Sequence, residues 1–316
     1  MDDFATLEPV TQQFVDSLTG ELPFNLHSSD EACAMFRRLQ AQPIGRPGAR
    51  VQDLTFPIGP TGMVPVRIIR PPDAQVKLPV VLYCHGGGWM CGDVDTHDRL
   101  TREIAVGAGA AVAFVSYDLT PKARFPVQFE QVYAVLQHVI AHADELNLDA
   151  MRLAVAGEGV GGGIAAAVTL AARERRGPNI DLQVLICPVT SADLDTASYR
   201  HFADGPWLTK AVMQQAWDAY LPDPAMRANV IAAPLHASIE QLATMPETLV
   251  IVAENDVTRD EGESYARKLS DAGTRVTSVR YNGTIHDFIV LNALADTPAA
   301  RGAMAQIVAA LTTTFG

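Results

Sequence analysis

Basic residues are in short supply. Lysine and arginine number 24 against 36 aspartate and glutamate residues, which leaves a formal charge of −12 at pH 7. Binding to nucleic acid or to an anionic membrane surface needs a basic footprint, so neither partner is expected. Cysteine is also scarce. The four residues Cys33, Cys84, Cys91 and Cys187 are irregularly spaced and form no CxxC or Cys/His pair of zinc type. They read as reduced thiols rather than a disulfide framework, and no metal site is implied. Apolar runs such as "AGAAVAFVSY" are too short to span a bilayer. The opening "MDDFATLEPV" lacks the basic and apolar parts of a secretion signal. These absences predict a soluble, cytoplasmic protein. No internal repeat, low-complexity tract or long linker interrupts the chain.

Apolar residues are plentiful. They make up 48% of 316 residues, enough to bury one large α/β domain or two smaller ones. From about residue 50, β-rich runs alternate with helical patterns. "VPVRIIR", "LPVVLYC", "AVAFVSYDL", "RLAVAG", "LQVLICP", "ETLVIVAEND" and "RVTSVRYNG" read as strands. Several are apolar throughout, as strands covered on both faces must be. "RLTREIAVGAGA", "FEQVYAVLQHVIAHADEL" and "DEGESYARKLSDAG" read as helices between them. This alternation predicts right-handed crossovers and a mostly parallel sheet flanked by helices. Two amphipathic segments fall outside the rhythm: about 1–45, and about 190–225 with "GPWLTKAVMQQAWDAYL". Together they are expected to form a helical cap over the carboxyl edge of the sheet, within a single domain spanning 1–316. That edge is where open α/β sheets bind ligands.

Four motifs carry the chemistry. "HGGGW", His85 to Trp89, follows the strand "VVLYC". Three successive glycines there imply a bend or a close ligand approach, and their N–H groups can stabilise a developing oxyanion. The alternative is a flexible loop or phosphate cradle, although neither GxxxxGK[ST] nor GxGxxG fits. His85 reads as a residue that holds this loop by hydrogen bonding. "AVAGEGVGGGIAAAV", Ala154 to Val168, runs from an apolar strand through a tight turn into a small-residue helix. Gly157-Glu158-Gly159-Val160-Gly161 matches the nucleophile elbow G-x-S-x-G except at its centre, where Gly159 stands. A glycine turn without chemistry would look the same. Asp256 in "AENDVTRDEG" and His286 in "YNGTIHDF" then follow at successive strand ends. Their order after the elbow is nucleophile, acid, histidine. His138 and His142 read as solvated helix residues, and His27, His97, His201 and His236 carry no motif of their own.

With these motifs the sequence resembles the hormone-sensitive-lipase-like group of α/β-hydrolases, which contains many bacterial carboxylesterases. The likeness runs from about residue 50 to the end and includes "SYDLTPKARFP", "APLHA" and the pattern D-x-x-R-D-E-G. The resemblance implies the α/β-hydrolase fold and a short-chain acyl esterase that needs no cofactor and acts on a small-molecule ester. It leaves a homodimer open. It also implies site roles: Asp256 and His286 as catalytic acid and base, and an oxyanion hole from Gly86, Gly87, Gly88 and the N–H of Val160. Trp89 and Trp207 would line the substrate pocket, with Trp217 in the cap. Two positions depart from the family. Asp118 and Lys122 stand where it usually has arginine and glutamate, so an ion pair of reversed sense is one expectation. Gly159 removes the nucleophile itself.

Three readings of Gly159 follow. The chain is an esterase whose serine was replaced by glycine, most simply by design, since every supporting element is retained. Or it is a natural non-catalytic member that binds a small ligand under its cap. Or another nucleophile acts, such as Cys84 or a water activated by His286.

Overall fold

The computed structural model describes residues 6–18 and 29–316. Among these, β1 (Arg50–Phe56), β2 (Val64–Arg70), β3 (Leu78–Cys84), β4 (Ala111–Val115), β5 (Leu148–Glu158), β6 (Leu182–Ile186), β7 (Glu247–Asn255) and β8 (Val276–Ile285) form one sheet. Its order is β1-β2-β4-β3-β5-β6-β7-β8. β2 pairs antiparallel with β1 and β4, and every other neighbouring pair is parallel. β3, β4 and β6 are buried at every residue. Their unbroken apolar sequence therefore matches a strand with helices on both sides.

The helices are α1 (Pro9–Ser17), α2 (Ser29–Gln40), α3 (Asp98–Ala108), α4 (Val127–Ala141), α5 (Val160–Glu174), α6 (Ala197–His201), α7 (Lys210–Tyr220), α8 (Ile239–Leu242), α9 (Arg259–Asp271) and α10 (Pro298–Phe315). The period of two along β3 divides its side chains between two layers. Val81 and Tyr83 pack with Leu100 and Ile104 of α3 and with Met304 and Ile307 of α10. Val80 and Leu82 pack with Val132 of α4, Ile164 of α5 and Leu269 of α9. No described helix is long and apolar enough to cross a membrane.

Several expectations need correction. β1 was not among the strands read from sequence. It is a largely exposed, charged edge strand, paired only with β2, and so lacks the apolar signature used to find the others. Cys33 on α2 and Cys91 after the glycine loop are joined as a disulfide, with Cα atoms 5.1 Å apart, rather than being free thiols. Packing of α2 against that loop brings together residues 58 positions apart, which local spacing cannot show. Cys84 and Cys187 are the free, buried pair. Asp118 makes no ion pair with Lys122. Its carboxylate instead accepts from Gln131 Nε2 at 2.7 Å. The proposed N-terminal cap segment is described only in part, since residues 1–5 and 19–28 lie outside the described residues.

Candidate active site

The turn between β5 and α5 is built on close backbone approach. A Cβ at Gly161 would collide with the carbonyl oxygens of Cys84 and His85 at the end of β3. Only glycine lets the two chains meet there. Gly159 has φ +54° and ψ −125°, a conformation that L side chains rarely adopt. Its backbone is fixed on both sides: its N–H donates to the Ile186 carbonyl at 2.9 Å, and its own carbonyl accepts from the Val189 N–H at 2.9 Å. The turn thus holds position 159 above the carboxyl edge of the sheet.

Asp256 directly follows β7 and His286 directly follows β8, so neighbouring parallel strands deliver both to that edge. His286 Nδ1 lies 2.7 Å from Asp256 Oδ2. Thr258 orients the carboxylate, donating from its hydroxyl at 2.8 Å and from its backbone N–H at 2.9 Å. Both side chains are buried. A Cβ placed on Gly159 would stand 3.3 Å from His286 Nε2. The free nitrogen of the imidazole therefore faces the position that has no side chain. Burial opposes the imidazolium, but the carboxylates of Asp256 and Asp287 outweigh it and raise the His286 pKa to about 9. Cys187 sits beside the pair, with its sulfur within 4.8 Å of their donor atoms.

Two residues that sequence reading left without a role hold the glycine loop. Glu158, inside the elbow, accepts from the Gly86 N–H, from Tyr83 Oη at 2.8 Å and pairs with His97 Nε2 at 2.9 Å. Burial disfavours its charge, yet His97 holds the carboxyl below its usual range. The signal was present as a charged residue between two glycines after an apolar strand, a position that burial penalises unless the charge is paired. His85 behaves as expected of a loop holder. Its Nδ1 contacts the Gly86 carbonyl at 2.8 Å, and its ring stacks on Tyr117 with centroids 4.2 Å apart.

This arrangement corrects two assigned roles. The Gly86 N–H is taken by Glu158 and is not available to a ligand. Gly87, Gly88 and Val160 do line the cavity beside His286, and no carbonyl of a described residue accepts from their N–H groups. Val160 also opens α5, whose N-terminus adds a positive dipole end. Trp89 does not line the cavity. Its ring is buried against Tyr220 at 3.9 Å and Trp217 at 4.8 Å, where it wedges α7 against the glycine loop.

The cavity itself is about 90 Å³ and mainly apolar. Ala32 and Phe36 of α2 line it, with Trp207 and Leu208 from the loop before α7 and Val212 and Met213 of α7 itself. Both segments outside the strand–helix rhythm thus reach the same space. Asp287, which sequence reading passed over, also faces it. Chemically, the site has N–H donors suited to a carbonyl oxygen, a carboxylate-oriented histidine, and glycine where an attacking atom would stand.

Comparison with known proteins places this geometry. The alpha/beta hydrolase fold family matches residues 81–290. The carboxylesterase NlhH of Mycobacterium tuberculosis is 35% identical over 96% of this chain and 95% of its own. A thermostable esterase from Pseudomonas putida ECU1011 superposes with a TM-score of 0.96 at 42% identity, covering 98% of each chain. A serine-to-alanine mutant of esterase rPPE, complexed with (S)-Ac-CPA, has the same TM-score, identity and coverage. With its mostly parallel eight-stranded sheet and its acid and histidine at successive strand ends, this chain belongs to the alpha/beta hydrolase fold family.

Proposed function

We propose that this chain is a carboxylic ester hydrolase of the Ser-His-Asp, acyl-enzyme kind, short-chain in preference and nearly inactive because Gly159 stands at the nucleophile position. One observation carries the reading. The Cβ direction of Gly159 points at His286 Nε2 from 3.3 Å, while Nδ1 is bonded to a fixed carboxylate. A hydroxyl at that Cβ would meet the imidazole as a nucleophile meets its base. The ester carbonyl oxygen would lie on the N–H groups of Gly87, Gly88 and Val160. His286 would take the hydroxyl proton, Asp256 would stabilise the imidazolium, and water would repeat the attack on the acyl-enzyme. In this chain the first step has no attacking atom, so an ester is held and not consumed. The structural neighbour that carries alanine for serine was obtained with (S)-Ac-CPA bound, which supports retention of a ligand without that hydroxyl.

A second reading, a natural small-ligand binder, draws on the same cavity and on the positive φ of Gly159, which glycine adopts without strain. Cys84 is not an alternative nucleophile. It is fully buried on β3, away from the cavity, and burial raises its thiol pKa out of the reactive range. Gly159→Ser is expected to raise hydrolysis of p-nitrophenyl butyrate by about 10³- to 10⁶-fold, and a further His286→Ala should remove the gain. A folded serine variant that cleaves no ester across a range of acyl lengths would put the binder ahead.

A further inference from the structure

The charge of the cavity is set by a residue that the hydrolytic roles leave unused. Asp287 follows His286 with φ +63°, a left-handed conformation that glycine adopts more readily than aspartate. A side chain retained against that preference marks a candidate for function. Its Oδ2 accepts from Trp207 Nε1 at 3.0 Å, so the loop before α7 fixes the carboxylate. Its Oδ1 lies 3.6 Å from His286 Nε2, beyond hydrogen-bond reach. The side chain is 19% exposed and lines the cavity. Among the described residues, His286 and Asp287 are the ionisable side chains of that lining, which is otherwise built from glycines, Gln215, the disulfide-bonded Cys91 and apolar groups such as Phe36, Met90, Leu208 and Met213. Burial pushes the Asp287 carboxyl up, while His286 and the Trp207 N–H pull it down. Asp256 already balances an imidazolium at position 286, so Asp287, when ionised, gives the described lining one net negative charge.

We propose that Asp287 is the specificity-determining residue of this pocket, selecting neutral or cationic esters and rejecting those that carry a carboxylate near the scissile bond. The assignment rests on the esterase reading and extends it to a substrate class. An ester seated on Gly87, Gly88 and Val160 has its carbonyl carbon between Gly159 and His286, and its substituents then pass within a few ångströms of Oδ1. A second carboxylate about 6 Å away is disfavoured about 10- to 100-fold at an effective dielectric near 20. An ammonium substituent would find the reverse: a carboxylate oxygen without a hydrogen-bonded partner and the aromatic faces of Trp207 and Phe36. The same charge repels the acid product of a neutral ester and so favours its departure.

Two measurements test this. In the protein as it stands, calorimetry should show dimethyl succinate binding about 10- to 100-fold tighter than monomethyl succinate, with Asp287→Asn closing the gap. In Gly159→Ser, the ratio of kcat/KM for p-nitrophenyl hemisuccinate to that for p-nitrophenyl butyrate should rise at least about 10-fold on adding Asp287→Asn. Asp287→Gly suits the φ of this position and serves if the asparagine variant does not fold. A ratio unchanged by either substitution, in binding or in turnover, overturns the assignment. If the serine variant cleaves neither ester, the esterase reading fails, and the binding comparison still decides the role of Asp287.

Discussion

Position 159 combines a missing side chain with a backbone that disfavours one. With φ +54° and a Cβ contact to His286 Nε2 at 3.3 Å, Gly159→Ser is expected to lower stability by about 1–3 kcal/mol while it gains hydrolysis. Urea unfolding at pH 7 checks this, and a serine variant at least as stable as the parent would contradict it. His286 supplies a second expectation. The groups facing it are Asp256 beyond β7, its neighbour Asp287, Cys187 beyond β6 and, at longer range, Glu158. They raise its pKa from the usual 6.5 to about 9. The stabilisation from holding this imidazolium is therefore complete below pH 6.5 and disappears as pH rises through 9. In Gly159→Ser, kcat/KM should climb with pH up to about 9, because the base must be neutral to accept the hydroxyl proton. Nitrogen chemical shifts of His286 give the same midpoint directly, and a midpoint near 6.5 would contradict the structure.

The elements divide by what their sequences advertise. β3, β4, β6 and β7 were legible because burial on both faces leaves an apolar run, and the elbow was legible because close approach forces glycine at fixed spacing. β1 was not, since an exposed edge strand keeps its polar residues. α10 closes the second face without a chemical motif and was also passed over. Asp256 and His286 could be named because a residue directly after a buried strand must project at the sheet edge. Asp287, the occupied Gly86 N–H and the Cys33–Cys91 bond depend on which elements meet in space, and local pattern does not encode that. Glu158 shows the price of missing such a contact. It ties β5, β3 and α3 together through Tyr83, Gly86 and His97. Glu158→Gln should cost about 1–3 kcal/mol and weaken ester binding by loosening the glycine loop. It should also let burial pull the His97 titration below its usual 6.5, where the glutamate now holds it higher. An unchanged His97 midpoint in the glutamine variant would show that the pair does not matter.

Taken as one molecule, the chain is a complete hydrolytic frame around an absent atom. The fold alone does not establish the reaction, since one scaffold serves many functions. What points to ester hydrolysis is the convergence of three parallel strands on one edge, each delivering a single component: the elbow from β5, the acid from β7 and the histidine from β8. The segments outside the sheet rhythm add apolar walls to the cavity, and Asp287, just beyond β8, adds a carboxyl group. Covalent labelling by a fluorophosphonate tests this claim most directly, because stable labelling needs a nucleophile aligned with its base and the oxyanion donors. Intact mass spectrometry should find no adduct on the Gly159 chain and one adduct per chain, mapped to position 159, on Gly159→Ser. An adduct on the parent chain, or none on a folded serine variant, would contradict the account.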